Sequence, residues 1–299
     1  MKVRILYTDG HGDFMEGIYD KPAHSNDEIV VESVMTGVCR SDVDMMQGTF
    51  PLLPMHMMGH EGLGIVTKVG SNITNVKVGN YVATRGEPAY ADLYNCKAGN
   101  FVQVDELHPR YILEPVACGI NLIHNNIGDI LKRSGPERRI LIIGSGFLAY
   151  TAYRYLINLN IGYKDLDLVG RSNQDLFHKQ IPQPNGKYDV IIDISSNPDY
   201  LNDDIYEDNG LLIMASPKFP DIGSDLSNLL WRNMTIKMPS PRAEGFYECM
   251  KEANMFVRTD VINIDKFWTT GYNRDTEWQQ AFKNALDRPA GYNRGYIKW

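Results

Sequence analysis

The sequence predicts an α/β protein of two domains, a β-rich one followed by one built on a doubly wound parallel sheet. Three observations predict it. Residues 1 to about 110 carry short β-branched runs broken by Gly, Asn and Pro. After Glu114 the apolar spacing becomes helical. From residue 139 onward buried strands and helices alternate, the pattern of a parallel sheet wrapped by helices. At 299 residues and 43% hydrophobic content the chain has material for two cores. The expected division is 1–115, 116–260, and a tail over 261–299 that returns to the first domain.

Each element has its own signal. Strands are expected over 28–34, 64–69, 76–83 and 101–104. Val116, Ile120, Ile123, Ile127 and Leu131 recur at helical spacing, so one helix is expected over 115–133. Arg139-Ile-Leu-Ile-Ile-Gly144 reads as a fully buried parallel strand. A helix over 147–159 follows, then strands over 166–169, 188–193, 210–215 and 234–238. Residues 246–256 look helical, and the last five residues read as a terminal strand that packs back on the first domain. There is no internal repeat or low-complexity segment.

Composition excludes several classes. The net charge is −7 with no long basic run, so a nucleic-acid partner is not expected. No apolar stretch approaches a membrane span, and the N-terminus lacks a signal-peptide core. Cys39, Cys96, Cys118 and Cys249 are dispersed, which suits a reducing compartment rather than a disulfide framework. The expectation is a cytoplasmic protein acting on a small molecule.

Chemistry-bearing residues cluster early. Gly37-Val-Cys39-Arg-Ser-Asp42 is followed by Gly59-His60-Glu61, which together offer a thiol, an imidazole and a carboxylate near the Ser41 hydroxyl. Catalytic zinc takes such ligands and keeps one position open. Cys39 and His60 are candidate ligands, and Glu61 and Glu114 are candidate carboxylates. Asp42 is expected to accept the other ring N–H of His60 and fix its tautomer. Taken singly, a buried Cys is a small hydrophobe and Gly-His-Glu a turn. Their joint occurrence with Glu114-Pro115 points to a site.

A second site is expected at Gly144-Ser-Gly146-Phe-Leu-Ala149, which follows a buried strand and opens a helix. Gly144 permits the tight turn, Gly146 lets backbone approach a pyrophosphate, and Ala149 lets helix and strand pack closely. The helix N-terminus favours the phosphate charge. The next strand ends Val169-Gly170-Arg171-Ser172, with no acid for a ribose 2′-hydroxyl. Arg171 could pair with a 2′-phosphate and Ser172 hydrogen-bond it, so NADP(H) is expected over NAD(H). The plainer reading makes Arg171 a solvated turn residue.

These motifs resemble the zinc-dependent medium-chain dehydrogenase/reductase superfamily, which includes alcohol, sorbitol, threonine and glucose dehydrogenases. The resemblance runs from Gly37–Asp42 through Gly59-His60-Glu61-Gly-Leu-Gly64-Ile-Val-Thr-Lys-Val-Gly70 and Leu113-Glu114-Pro115 to the tail from Ala281 to Trp299. It implies a GroES-like catalytic domain joined to a Rossmann domain. It implies Cys39 and His60 as zinc ligands, with Glu61 and Glu114 as ligand or near-ligand carboxylates. The choice between those two stays open. Arg40 resembles a residue that contacts the pyrophosphate in some relatives. The implied chemistry is that zinc lowers the pKa of a substrate hydroxyl, Ser41 accepts the proton, and hydride passes to the nicotinamide. A Glu-rich site resembles the polyol and sugar branch, so a hydrophilic secondary alcohol is expected. A homo-oligomer, dimer or tetramer, is the superfamily default.

Two departures qualify the resemblance. The four-cysteine lobe of many relatives is missing after Gly79-Asn-Tyr-Val82, with only Cys96 nearby, so a single zinc is expected. Asp44 stands where many relatives have a His, so the proton route beyond Ser41 falls to Asp44 or to solvent. Two rival readings are a zinc-free quinone or enoyl reductase of the same superfamily and a non-catalytic NADPH-binding protein. Met45, Met46, Met55, Met57 and Met58 are read as packing or pocket lining, and His56 as a loop residue.

Overall fold

The computed structural model describes residues 1–54, 57–86, 88–133, 135–195, 197, 199–202, 204–215 and 227–299. Met55 and His56 lie outside the described residues. The chain divides into two compact units, Met1–Pro115 with Met250–Trp299, and Val116–Cys249.

The first unit opens with the antiparallel pair β1 (Lys2–Thr8) and β2 (Phe14–Asp20). Then come β3 (Glu28–Gly37), α1 (Arg40–Met46), β4 (Glu61–Val69), β5 (Tyr81–Arg85), β6 (Leu93–Lys97) and β7 (Phe101–Val104). The long strand β3 organises this region. One edge pairs with β4, and the other is shared, with β6 against Glu28–Glu32. Ile29, Val31, Val66, Val82, Tyr94 and Phe101 bury the face that these strands have in common. The strand expected over 76–83 begins only at Tyr81. Lys77 to Asn80 form a turn, in which the Asn80 N–H donates to Lys77 C=O and the Asn80 side chain accepts from the Lys77 N–H. Local hydrogen bonding by Asn outcompetes the strand there.

The helical stretch expected over 115–133 is two helices, α2 (Glu114–His124) and α3 (Ile127–Leu131). Asn126 causes the break. Its side-chain amide donates to Leu122 C=O and its backbone N–H to Ile123 C=O, which diverts two carbonyls from regular i→i+4 pairing. The apolar spacing continues across the break, so periodicity alone could not reveal it.

The second unit continues with β8 (Arg139–Ile143), α4 (Phe147–Asn158), β9 (Asp165–Val169), β10 (Gln180–Ile181) and β11 (Tyr188–Asp193). It ends with α5 (Asp199–Asn202), β12 (Tyr206–Met214), α6 (Ser227–Trp231) and β13 (Thr235–Lys237). All six strands are parallel, in the order β10-β9-β8-β11-β12-β13. This is the doubly wound order, and the sequence direction reverses between β8 and β11, where such folds place ligands. Central strands carry continuous apolar runs such as Ile140–Ile143, buried on both faces. One expected alternation fails. Between β9 and β10 there is only a 3-10 turn over Gln174–Leu176, and β10 has two residues.

Helix α7 (Phe246–Arg258) then leads to β14 (Trp268–Asn273), α8 (Trp278–Asp287) and β15 (Arg294–Lys298). The last strand pairs antiparallel with Met35–Gly37, on the part of β3 that β6 leaves open. No described helix is long and apolar enough to cross a membrane.

Buried Arg138 ties the second unit together. It is 2% exposed and donates to four carbonyls, those of Leu131, Arg133, Ile161 and Gly162. One guanidinium thereby satisfies carbonyls at and just after the end of α3 and in the loop that follows α4. Burial lowers its pKa from the usual arginine value. Arg138→Met should strand those carbonyls and cost about 2–4 kcal/mol. A lowered urea midpoint checks this, and an unchanged midpoint would contradict it.

Candidate functional site

The site in the first unit is assembled where β3 passes into α1. Cys39 is the N-cap of α1, in extended conformation at φ −85° and ψ 155°. Asp42, at the third helical position, turns its carboxylate back to accept the Cys39 backbone N–H at 2.9 Å. A carboxylate in the first turn of a helix is favoured by the orphan N–H groups and the dipole. The local sequence Cys-Arg-Ser-Asp therefore fixes Cys39 by its own capping.

His60 and Glu61 arrive at the start of β4. Cys39, His60 and Glu61 bring a sulfur, a ring nitrogen and a carboxylate oxygen within 4.8 Å of one another. This donor set suits zinc. Asp42 Oδ1 lies 3.7 Å from His60 Nδ1, which directs that nitrogen toward the carboxylate, as expected of a histidine whose other nitrogen meets a metal. Glu114 lies outside the close trio, buried at the first position of α2. Its charge still acts on His60.

The charges are strongly coupled. Burial raises the Asp42 pKa, against the pull of His60, Tyr90 and the Cys39 N–H. Burial pulls the His60 pKa down, but Asp42, Cys39 and Glu114 together lift it well above the ordinary value. A cation and a proton compete for the same lone pair, so a site this anionic attracts either.

Two supporting residues carried no sequence signal. Tyr90 donates its hydroxyl to Asp42 Oδ2 at 2.8 Å. Its ring is held edge-on by Phe14 and Phe282, which stack with centroids 3.6 Å apart. Burial, then Asp42, raises the Tyr90 pKa well above normal, so it stays a donor. Arg294, the first residue of β15, reaches both Glu61 oxygens at 2.5 Å and lies 4.9 Å over the Trp268 ring. Burial opposes the arginine charge, and Glu61, Cys39 and Glu114 more than restore it. A lone arginine opening a tail strand gives no sequence hint of such a partner. Gly37 makes the pair possible, since a Cβ there would stand 2.1 Å from Glu61 Oε2.

Ser41 is half-buried in the first turn of α1. Asp44 is buried, and its carboxylate accepts from Arg40 Nε at 2.9 Å. That i,i+4 pair orients Arg40 over the end of the buried carboxylate.

In the second unit, Gly144 follows β8 at φ +123°, and Gly146 is the N-cap of α4. No side chain caps α4, so the first-turn N–H groups keep the arrangement that a phosphate accepts. Ala149 is fully buried. These features fit a dinucleotide. Gly170 follows β9, with Arg171 and Ser172 exposed beyond it.

Comparisons with known proteins agree with this architecture. Residues 25–113 match the alcohol dehydrogenase GroES-like domain. D-arabinitol dehydrogenase 1 of Uromyces fabae is 25% identical over 344 aligned positions, covering 96% of this chain and 95% of the relative. L-idonate 5-dehydrogenase from Escherichia coli superposes with a TM-score of 0.79 at 14% identity, covering 100% of this chain and 99% of the other. A putative zinc-binding dehydrogenase from Sinorhizobium meliloti, bound to NADP, gives 0.75 at 14% identity, with 100% of both chains covered.

Gly37→Ala should push the Glu61 carboxylate off its present position. Zinc affinity is expected to fall about tenfold or more, as for other changes just outside a metal's ligands. Competition titration with a chromophoric chelator reads this, and an unaltered zinc affinity would count against the role given to Glu61.

Proposed function

Because the chain belongs to the medium-chain dehydrogenase/reductase superfamily, we propose that it is a zinc-dependent oxidoreductase. It interconverts an alcohol and a carbonyl compound with NADP(H). The observation that carries this reading is the convergence of Cys39, His60 and Glu61 within 4.8 Å in a unit whose chain continues into a dinucleotide fold. The identities of the relatives, among them a D-arabinitol dehydrogenase and an L-idonate dehydrogenase, support a polyol or sugar-type secondary alcohol.

In this proposal Cys39 and His60 hold the metal, with Glu61 or Glu114 as the carboxylate ligand. Zinc bound there supplies Lewis acidity toward a substrate oxygen. The bound dinucleotide supplies or accepts the hydride. Asp42 orients His60, and is itself oriented by Tyr90 and the Cys39 N–H. Ser41 takes the hydroxyl proton and passes it outward through Asp44 or solvent. Arg294 balances the negative charge of Glu61. Gly144, Gly146 and Ala149 shape the pyrophosphate turn, Arg40 adds a contact to the same group, and Gly170, Arg171 and Ser172 take the 2′-phosphate. The NADP carried by the Sinorhizobium meliloti protein is compatible with that choice. A cytoplasmic homo-oligomer belongs to the same proposal. Leu230, Trp231 and Ile236 are exposed, and self-association would cover them.

The deciding experiment is a turnover screen of the zinc-loaded protein on polyols, sugars and simple alcohols, each with NADP and NAD. Cys39→Ser is expected to lose tight zinc binding and at least about a thousandfold in turnover. Full activity of a metal-free preparation would falsify the zinc assignment. Arg171→Ala should weaken NADPH binding about tenfold to a hundredfold and leave NADH binding unchanged, by analogy with other charge-assisted phosphate contacts. Equal losses for both nucleotides would remove the basis for NADP.

A further inference from the structure

The second residue of the cofactor turn is bonded in a way that phosphate binding does not require. Ser145 is 6% exposed, so its hydroxyl must find partners inside the fold. It finds them on the loop that leaves β9. The Ser172 N–H donates to Ser145 Oγ at 3.1 Å, and the two hydroxyls are also 3.1 Å apart. The Asn173 side-chain amide donates to Ser145 C=O at 2.7 Å. Gly170 lies flat against the same residue, since a Cβ there would come within 2.3 Å of Ser145 Cβ.

Residues 170, 172 and 173 are thus fastened to one residue of the turn, and Arg171 is the residue between them that projects outward. Asn173 adopts φ 55°, a left-handed conformation that asparagine tolerates, and starts the 3-10 turn over Gln174–Leu176. Gln180 Nε2 donates to Gly170 C=O at 2.7 Å and ties the loop to β10. No helix follows β9 before β10. The far end of the loop is packed by Phe177 against Tyr150 and Tyr153, and the stretch over 170–173 is held by hydrogen bonds to Ser145.

We infer that Ser145 is a specificity-determining positioning residue. It clamps the loop that displays Arg171 and so couples the pyrophosphate turn to recognition of a 2′-phosphorylated dinucleotide. The inference rests on the reading of Arg171 as the 2′-phosphate partner.

The test uses the full chain and fluorescence titration with NADPH and NADH. Amide hydrogen exchange across residues 170–176 is measured without nucleotide. Ser145→Ala removes only the hydroxyl and keeps the Cβ that packs on Gly170. Its NADPH affinity should fall about tenfold while NADH affinity stays within about twofold, as expected for losing one to two hydrogen bonds that serve only the 2′-phosphate loop. Exchange at the Ser172 amide should accelerate. In an Arg171→Ala background the same change should cost NADPH nothing further, because the two residues act as one unit. Asn173→Gly keeps the left-handed backbone and removes the amide bond to Ser145. It should lower NADPH preference in the same direction, and it serves if Ser145→Ala folds poorly.

Equal losses for both nucleotides would overturn the inference, because they would make Ser145 part of the turn alone. Unchanged NADPH preference in Ser145→Ala, with the preference abolished in Arg171→Ala, would overturn it and leave the Arg171 reading standing. A wild-type chain without NADPH preference would overturn both.

Discussion

A buried carboxylate requires a buried cation, and Glu61 obtains one from Arg294, 233 residues away in sequence. Glu61 is the first residue of β4 and Arg294 the first of β15. Their side chains are 1% and 14% exposed. Two charges removed from water are costly apart and tolerable only as a pair, and here Arg294 Nη2 donates to both Glu61 oxygens. Losing either partner of such a pair typically costs about 3–5 kcal/mol. The carboxylate nearest the candidate metal site and the closing strand of the seven-stranded sheet therefore depend on each other. Pairing of β15 with Met35–Gly37 brings Arg294 close to Glu61, and the bare Gly37 leaves room for both.

The rest of the site extends this dependence. Cys39 is placed by helix capping, which needs Asp42, and the Asp42 carboxylate is oriented by Tyr90. Tyr90 is wedged against a stacked pair, Phe14 from the second strand and Phe282 from the last helix. Residues from both ends of the chain thus fix the orientation of a carboxylate that lies 3.7 Å from His60. A donor set held by packing on rigid elements is pre-organised, as a metal site would need. The same packing helps Asp42 to remain buried: its Oδ2 accepts from a backbone N–H and a phenol, and its Oδ1 faces the His60 ring at 3.7 Å, beyond hydrogen-bond distance.

The second unit solves a different problem with fewer residues. Its sheet has the full doubly wound order, yet the connection from β9 to β10 is a short turn. The loop is anchored at its far end by buried Phe177 against Tyr150 and Tyr153 of α4, and polar contacts hold the stretch nearer β9. Ser145, Asn173 and Gln180 supply them. The turn after β8 and the β9 loop thereby form a single hydrogen-bonded piece.

The sequence by itself determined what depends on neighbours along the chain. The buried run into Gly144-Ser-Gly146 specified strand, turn and helix. The Cys39–Asp42 and Gly59–Glu61 motifs marked a thiol, an imidazole and carboxylates, but not the capped helix that holds Cys39. Alternating strands and helices specified the parallel sheet. Sequence periodicity misjudged Asn126 and Asn80, because an Asn side chain that bonds its own backbone leaves the apolar spacing unchanged. Only the tertiary structure decided which distant groups meet: Arg294 with Glu61, Tyr90 with Asp42, and Ser145 with the β9 loop. The physical reason is that local propensity and capping act within a few residues. Which buried charges and hydroxyls become partners is set by strand register and side-chain packing, which no single stretch of sequence contains.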